Sequence, residues 1–326
     1  MNSKQTTLGF EPAPYKSAKV RFLEQMERIV PWSDIEAIIR PYYPAEQSRP
    51  QGGRPAFPLT VMLRTHYLQI WLNLSDEQAQ EELYDSRASR AFAGLDGEGR
   101  TPDAVTILRF RHMIEKHGLA TQIFEMVNKQ LDARGLMLRH GSIVDATIIN
   151  APSSTKNKEG KRDEEMHQTK KGNLYYFGMK MHNAVDAESG LIHTVVYTPA
   201  NVHDVTQVGN LLHGQEEYVW GDSGYRGADK REENKDRKVK WAIAMRPGKR
   251  SRLDKASEPE MWIEQIERIN ASIRAKVEHV FHVIKNIFGY CRTRYKGIAK
   301  NASRLTELAT MYNLLKADRL LQAQAG

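Results

Sequence analysis

The chain has 326 residues, 40% hydrophobic and 27% charged, an ordinary globular composition with room for two domains or one large one. No apolar stretch approaches the roughly 20 residues that span a bilayer, and the polar stretch 1–17, with two prolines, reads as neither signal peptide nor anchor. A net charge of +8 favours a polyanionic partner, and the single cysteine, Cys291, excludes an intramolecular disulfide and fits a reducing cytoplasm.

The first 136 residues read as helical. Val20, Leu23, Met26 and Ile29 recur at helical spacing over 17–30. Ser33-Asp34-Ile35-Glu36 has the pattern of a capping box opening a short helix that Pro41 stops. Gly52, Gly53, Pro55 and Pro58 mark a loop, and an apolar helix follows from Leu59 to about Leu72. Ser75-Asp76-Glu77-Gln78 is a second capping box, predicting one helix up to Gly94. Asp96 to Arg100 is a loop. Thr101-Pro102-Asp103 predicts a helix with Thr101 as cap and Pro102 in its first turn, ending at Gly118. A last helix runs from Ala120 to Arg134 and stops at Gly135.

Beyond Gly135 the apolar period becomes that of strands. Residues 142–149 form one strand, and Tyr175–Val185 and Leu191–Thr198 form a hairpin turning through Asp186 to Gly190. A short helix covers Asp204 to Leu212, a strand ends at Asp222, a short helix follows Gly227, and Trp241 to Met245 is a further strand. A helix of about 25 residues surrounds Glu278, and a final amphipathic helix covers Ser303 to Leu321. The order predicts a mixed α/β domain. Asn150 to Asn173 and Arg246 to Pro259 are polar and without clear period; the length of the first either counts against the strand boundaries or marks a functional segment, and both are of a kind that a bound partner would order.

Three acids stand out. Asp145 lies inside the apolar run Ile143-Val144-Asp145-Ala146-Thr147-Ile148-Ile149, where an ionised carboxylate must be neutralised, paired or metal-bound. Asp222 ends the strand Tyr218-Val219-Trp220-Gly221. Glu278 shares a helical stripe with Arg274, His282 and Lys285, beside an apolar face that includes Val277, Val280 and Ile284. The competing reading of that stripe alone is a solvated face with an Arg274–Glu278 pair. Two strand aspartates and a helix glutamate in a basic chain predict a divalent-metal site acting on nucleic acid, since hard Mg²⁺ takes oxygen ligands. Asp186 reads as a turn residue. Asp204 reads as an N-terminal helix acid, or with His203 as support behind the metal ligands. His279 and His282 lack the companions of a zinc site. No G-x-x-x-x-G-K-[ST] and no G-x-S-x-G occur, which disfavours an ATP-driven motor and a serine hydrolase.

Val144-Asp145-Ala146-Thr147, Ala200-Asn201-Val202-His203-Asp204, Gly221-Asp222-Ser223-Gly224-Tyr225-Arg226-Gly227 and Arg274 through Lys285 together resemble bacterial insertion-sequence transposases of the DDE type. The resemblance is closest to the insertion-sequence-five family within the insertion-sequence-four/five group. Arg274, Glu278 and Lys285 keep the spacing of that group's C-terminal signature, whose tyrosine position is Ala271 here. The resemblance implies a ribonuclease-H-like (retroviral-integrase-like) catalytic domain over 137–326, after an all-α DNA-binding domain over 1–136. It implies Mg²⁺, with Mn²⁺ as substitute, held by Asp145, Asp222 and Glu278 as the catalytic residues. It further implies nicking at element ends, joining of the 3′-hydroxyls to target DNA, and helices that bind the terminal inverted repeats. The expected partners are double-stranded DNA and further copies of the chain, as a homodimer or higher multimer on DNA. No membrane is expected, and the expected location is the bacterial cytoplasm at the nucleoid.

Arg274, Lys285, Arg292, Arg294, Lys296 and Lys300 are expected on DNA phosphates, because Lys285 to Lys300 holds five basic residues and no acid. Arg109, Arg111 and His112 are expected in a groove, from the second helix of a helix-turn-helix-like pair over 76–93 and 102–117; the competing reading is a structural bundle with solvated arginines. Trp262 and Tyr290 are stacking candidates by residue type. Two other functions fit the residues: a metal-dependent nuclease of the same fold without strand transfer, and a transposase-derived DNA-binding regulator without chemistry. Three intact acids argue against the second.

Overall fold

The computed structural model describes residues 16–44, 54–95, 99–156, 158, 160–254 and 256–325, and among the described residues seven α-helices and a 3₁₀ turn over Arg40–Tyr42 precede the first strand. The readings made for 1–15, for Gly52 and Gly53 and for 96–98 lie outside these residues. The helices are α1 (Ala18–Ile29), α2 (Trp32–Ile39), α3 (Leu59–Trp71), α4 (Asp76–Asp85), α5 (Arg87–Ala93), α6 (Ala104–Lys116) and α7 (Leu119–Ala133). The Ser75–Gln78 capping box is present with both of its reciprocal hydrogen bonds.

Three expected boundaries differ. Ser33 caps nothing, because α2 already begins at Trp32 behind Pro31. The helix expected from Ser75 to Gly94 is two helices. Ser86 takes an extended conformation, ends α4, and accepts from the Ser89 N–H to cap α5. Asp103, not Thr101, caps α6 by accepting from the Thr106 N–H, since a carboxylate there also meets the positive end of the helix.

The sheet contains β1 (Gly141–Asn150), β2 (His167–Lys171), β3 (Leu174–Asp186), β4 (Ile192–Pro199), β5 (Tyr218–Gly221) and β6 (Lys240–Ile243). Its order is β2-β3-β1-β5-β6, with β4 also on β3. β1, β3 and β4 run antiparallel in succession, whereas β5 and β6 run parallel to β1. The segment expected to lack structure before Asn173 holds β2, which returns into β3 through the two-residue turn Gly172-Asn173. Gly172 has φ +61°, the left-handed conformation that suits glycine in such a hairpin. Asp186 accepts from the backbone N–H groups of Leu138, Arg139, Glu188 and Ser189, so it is a turn residue.

Two four-residue helices, α8 (Val208–Leu211) and α9 (Pro247–Arg250), are followed by α10 (Glu258–His282) and α11 (Ile298–Ala325). α10 packs on β1, β3 and β5 and runs into a π-helical turn over Val283–Ile287. α11 lies between the sheet and the N-terminal helices. One continuous hydrophobic core runs from Leu23 and Met26 through Phe124 and Ile143 to Leu308 and Met311, so the boundary expected at residue 136 does not separate two cores. Buried polar links bind the same parts. His66 Nε2 meets Glu307 Oε1 at 2.7 Å, and the Asn313 amide donates to Asn128 Oδ1 and to the Ile192 carbonyl, each at 2.7 Å.

The helix-turn-helix-like pair takes a different form, because α4, α5 and α6 pack as three helices. Arg111 does not face outward as expected. It is buried, donates to Asp76 at 2.9 Å and to Glu115 at 2.8 Å, and lies over the Tyr295 ring. Arg109 and His112 are exposed. Removing one partner of a buried ion pair strands the other charges. Arg111→Ala should therefore lower stability by about 3 kcal/mol in urea unfolding, while the same substitution at Arg109 should leave the midpoint within about 0.5 kcal/mol of wild type.

Candidate active site

β1 and β5 pair in parallel with Val144 opposite Gly221. The residues that follow, Asp145 and Asp222, therefore stand side by side, on backbones about 4.8 Å apart. Asp145 alternates with Val144, which belongs to the small core around Val208 and Tyr225, and so shares a face with Ile143 and Ile149 of the main core, where α10 packs. Its Oδ1 accepts from the Ala146 N–H at 2.7 Å.

Asp222 lies just past β5, is exposed, and accepts from the Gly224 N–H at 2.7 Å as the cap of a 3₁₀ turn over Ser223–Tyr225. Glycine at 221 allows that turn, because a Cβ would approach Tyr225 and Ile243 within 3.1 Å.

Burial pushes the Asp145 carboxyl up to about 7. The Ala146 N–H pulls it down, the charges of Asp222 and Asp204 push it further up, and Lys171 pulls it down. Asp204 thus belongs to the same carboxylate group, beyond its place at the start of a short helix. It is held by Lys180 Nζ at 2.8 Å, and His182 Nδ1 lies 3.8 Å away. Burial holds the His182 imidazole down at about 4, so it is neutral at neutral pH. His203 is exposed, and its carbonyl accepts from the Thr206 hydroxyl. Tyr225 is buried, its hydroxyl has no hydrogen-bond partner, and burial followed by the charges of Asp145, Asp204 and Asp222 raises its pKa.

Arg274 on α10 donates to the Gly221 carbonyl at 3.5 Å, a long contact at the root of the Asp222 turn. Glu278 follows one helical turn later and is exposed. Among the described residues, Asp145, Asp222 and Glu278 are not gathered closely enough to count as one ready-made ion-binding group. The stripe expected to continue to Lys285 meets the π-helical turn, where Phe288 N–H bonds to the Val283 carbonyl and the period changes. Lys285 is half-buried there. Its pKa is lowered by burial and then by the charge of Lys171.

The basic turn after α10 is built rather than free. Asn150 bridges to Arg292, and Thr293 N–H bonds the Asn150 carbonyl at 2.8 Å. The Asn301 side chain accepts from Tyr290, Arg294 and Tyr295 and donates to the carbonyls of Tyr295 and Gly297. Arg292, Arg294, Lys296 and Lys300 are exposed. Tyr290 is fully buried, which removes it as a stacking candidate, whereas Trp262 is 52% exposed. A cleft of about 500 Å³ beside this turn is lined by Asn150, Ser153, Arg162, Gln168, Tyr175 and Arg292.

Lys171, Tyr225 and Asn301 were not singled out from the sequence. The Gly172-Asn173 pair was the available signal for the hairpin that carries Lys171. Tyr225 stands in the sequence only as part of the motif that follows Asp222, and nothing local marks Asn301.

Acids at the carboxyl end of a parallel strand, with a carboxylate-bearing helix packed on the sheet and cations around them, offer the kind of oxygen donors that divalent ions use in phosphoryl transfer. The family of models described as Transposase DDE domain matches residues 138–314, and the Transposase domain (DUF772) model matches residues 13–113. The chain belongs to the DDE transposase family of insertion sequences. No solved structure matches it. No described helix is long and apolar enough to cross a membrane.

The raised Asp145 pKa has a stability consequence. The native state keeps a proton that the unfolded chain, with an ordinary aspartate, has lost, so this group costs stability as pH rises from about 4 through 7. Asp145→Asn should raise the stability of metal-free protein at pH 8 by on the order of a few kcal/mol, and the gain should vanish by about pH 4. Thermal midpoints of both proteins across this range check it.

Proposed function

We propose that this protein is an insertion-sequence-five-type transposase that nicks the ends of its element and joins the exposed 3′-hydroxyls to target DNA. The observation that carries the reading is the register that sets Asp145 beside Asp222, with Arg274 of α10 bonded to the carbonyl of Gly221 and Glu278 one helical turn further along the same helix. The succession of three antiparallel strands followed by two parallel ones, with helices packed on the sheet, supports a ribonuclease-H-like catalytic domain.

The donor set suits Mg²⁺ or Mn²⁺, since hard ions take carboxylate oxygens and the paired negative charge at Asp145 and Asp222 calls for a cation. Asp145, Asp222 and Glu278 would hold the ions. Two ions about 3.5–4 Å apart share only some ligands, so three oxygens need not meet at one point. When bound, such ions activate an oxygen nucleophile and stabilise the leaving oxygen.

The chain's own groups then have distinct tasks. Arg274 holds α10 against the end of β5. Asp204, fixed by Lys180, adds its negative charge to that of the paired carboxylates, and the buried Tyr225 lies close enough to feel all three charges. Lys171, Lys285, Arg292, Arg294 and Lys296 form a cationic track for the phosphodiester backbone, and the β2–β3 hairpin extends it with exposed Lys170 and Tyr175. The exposed face of α6, with Arg109 and His112, remains the surface for inverted-repeat DNA. Assembly as a homodimer or higher multimer on DNA has an apolar surface available in Trp262, Ile266 and Ile269 of α10.

Asp145→Asn, Asp222→Asn and Glu278→Gln should each reduce Mg²⁺-dependent nicking by at least about a thousand-fold. Each should be as defective as the triple variant, because the ligands act as a unit, while binding to element-end DNA persists. A variant that nicks at near wild-type rate overturns the assignment. A strand-transfer assay with pre-cleaved ends separates a transposase from a nuclease of the same fold.

Lys171→Ala and Arg292→Ala should each flatten the slope of log affinity against log salt by about 0.9. Unchanged slopes would leave these cations as a solvated face.

A further inference from the structure

A second cluster of ligating side chains lies at the other end of β5 from Asp222. His193 comes from β4, and His213 and Glu216 come from the loop between α8 and β5, against Ser142 of β1. One donor atom from each of His193, His213 and Glu216 lies within 4.8 Å of the other two. The two imidazoles meet edge to face, with ring centroids 4.8 Å apart.

We propose that His193, His213 and Glu216 form a divalent-metal site of the zinc class, in which the ion fastens the loop leading into β5 onto β1 and β4.

The donors are already aimed. Glu216 is buried, and its two oxygens accept from the His213 N–H at 2.8 Å and the Gly214 N–H at 2.7 Å, which fixes the carboxylate. His193 Nε2 contacts the Ser142 hydroxyl at 2.9 Å, and that hydroxyl donates to Glu216 Oε1 at 3.1 Å. His213 Nε2 lies 3.4 Å from the same carboxylate oxygen, is shielded from solvent, and makes no hydrogen bond. A buried ring nitrogen without a partner, pointing at a buried carboxylate, is a feature that an ion would satisfy.

The chemistry selects the ion. Imidazole ligates in its neutral form, and burial, the largest influence on both rings, disfavours their charged forms. Two neutral nitrogens with one carboxylate suit Zn²⁺ and its neighbours rather than Mg²⁺. Zinc bonds of about 2.0–2.2 Å place ligand atoms roughly 3.4 Å apart, so closing the cluster takes movements of about 1 Å or less. Ser142 or a water would complete four-coordination.

The second ring nitrogen of His193 is oriented by the Thr194 hydroxyl at 2.9 Å, as metal-bound histidines require. Two hydrogen bonds would be exchanged, the first being that between His193 Nε2 and the Ser142 hydroxyl, which the ion would replace. The Gln215 N–H now donates to His213 Nδ1 at 3.2 Å, and a metal on Nε2 would move the ring proton to Nδ1. Gln215 is exposed in its loop and free to turn its N–H to water.

The test uses full-length protein stripped with a chelator and titrated with Co²⁺, a spectroscopic substitute for Zn²⁺. The expected result is one equivalent bound, with the visible bands of four-coordinate Co²⁺, displacement by Zn²⁺, and a thermal midpoint raised by Zn²⁺. The bands should persist in Asp145→Asn and in Ser142→Ala. His193→Ala and His213→Ala should each weaken binding by at least about a hundred-fold. Should the alanine variants fail to fold, Glu216→Gln, which keeps a backbone-accepting oxygen, is read in their place. The proposal is overturned if wild-type protein shows no such bands, if the ligand variants bind as wild type does, or if the bands disappear in Asp145→Asn, which would assign the ion to the carboxylate site.

Discussion

The pairing of β1 with β5 is the constraint on which the site depends. Val144 opposite Gly221 places two acids next to each other at the end of the shorter strand, and a one-residue slip would turn Asp145 onto the other face of the sheet. Such a pair is unfavourable for the protein alone. Burial and the neighbouring charges of Asp222 and Asp204 push the Asp145 carboxyl up to about 7, against the pull of the Ala146 N–H and Lys171. The sheet pays that cost through its apolar pairings on either side, with Ile143 and Val219 fully buried. A site strained by like charge is one that a cation relaxes, and this links the energetics of β1 to the proposed chemistry.

α11 carries a different burden. Its buried side chains include Asn301, Arg304, Glu307, Thr310 and Asn313, polar groups that are costly unless partnered. Glu307 meets His66 of α3, Arg304 donates to the Gln69 carbonyl, and Asn313 spans Asn128 of α7 and the Ile192 backbone of β4. The same helix organises the basic turn through Asn301. The cations near the carboxylates and the packing of the N-terminal helices therefore hang on one element. Two halves that the family models match separately, 13–113 and 138–314, share a single hydrophobic core through it.

Much of this was legible in the order of residues because the signals are local. The Ser75 capping box, the stop at Gly135, the change to strand period and the Asp186 turn depend on neighbours within a few positions. Helix starts were less legible where two polar residues compete. Thr101 and Asp103 both suit a cap, and the carboxylate prevails by reaching the Thr106 N–H. The split at Ser86 escaped notice because the apolar spacing continues through it. β2 escaped because a strand of His, Gln, Thr and two Lys has no apolar face to alternate. Arg111 illustrates the opposite error. A basic residue on a helix reads as solvent-facing until Asp76, Glu115 and Tyr295 are brought around it.

By itself the sequence determined the helical first part, the α/β second part, a carboxylate inside a buried strand, and the ordered acids and basic run that resemble a transposase. These follow from hydrophobic period, turn chemistry and charge, which act over short separations. Only the tertiary structure decided that Asp145 stands beside Asp222, that Asp204 joins them from across the fold, and that Lys171 reaches Asp145 and Lys285 from a hairpin. It alone brought His193 within reach of His213 and Glu216. These are contacts between residues tens of positions apart, set by strand register and helix packing, and no local pattern encodes the distance between them.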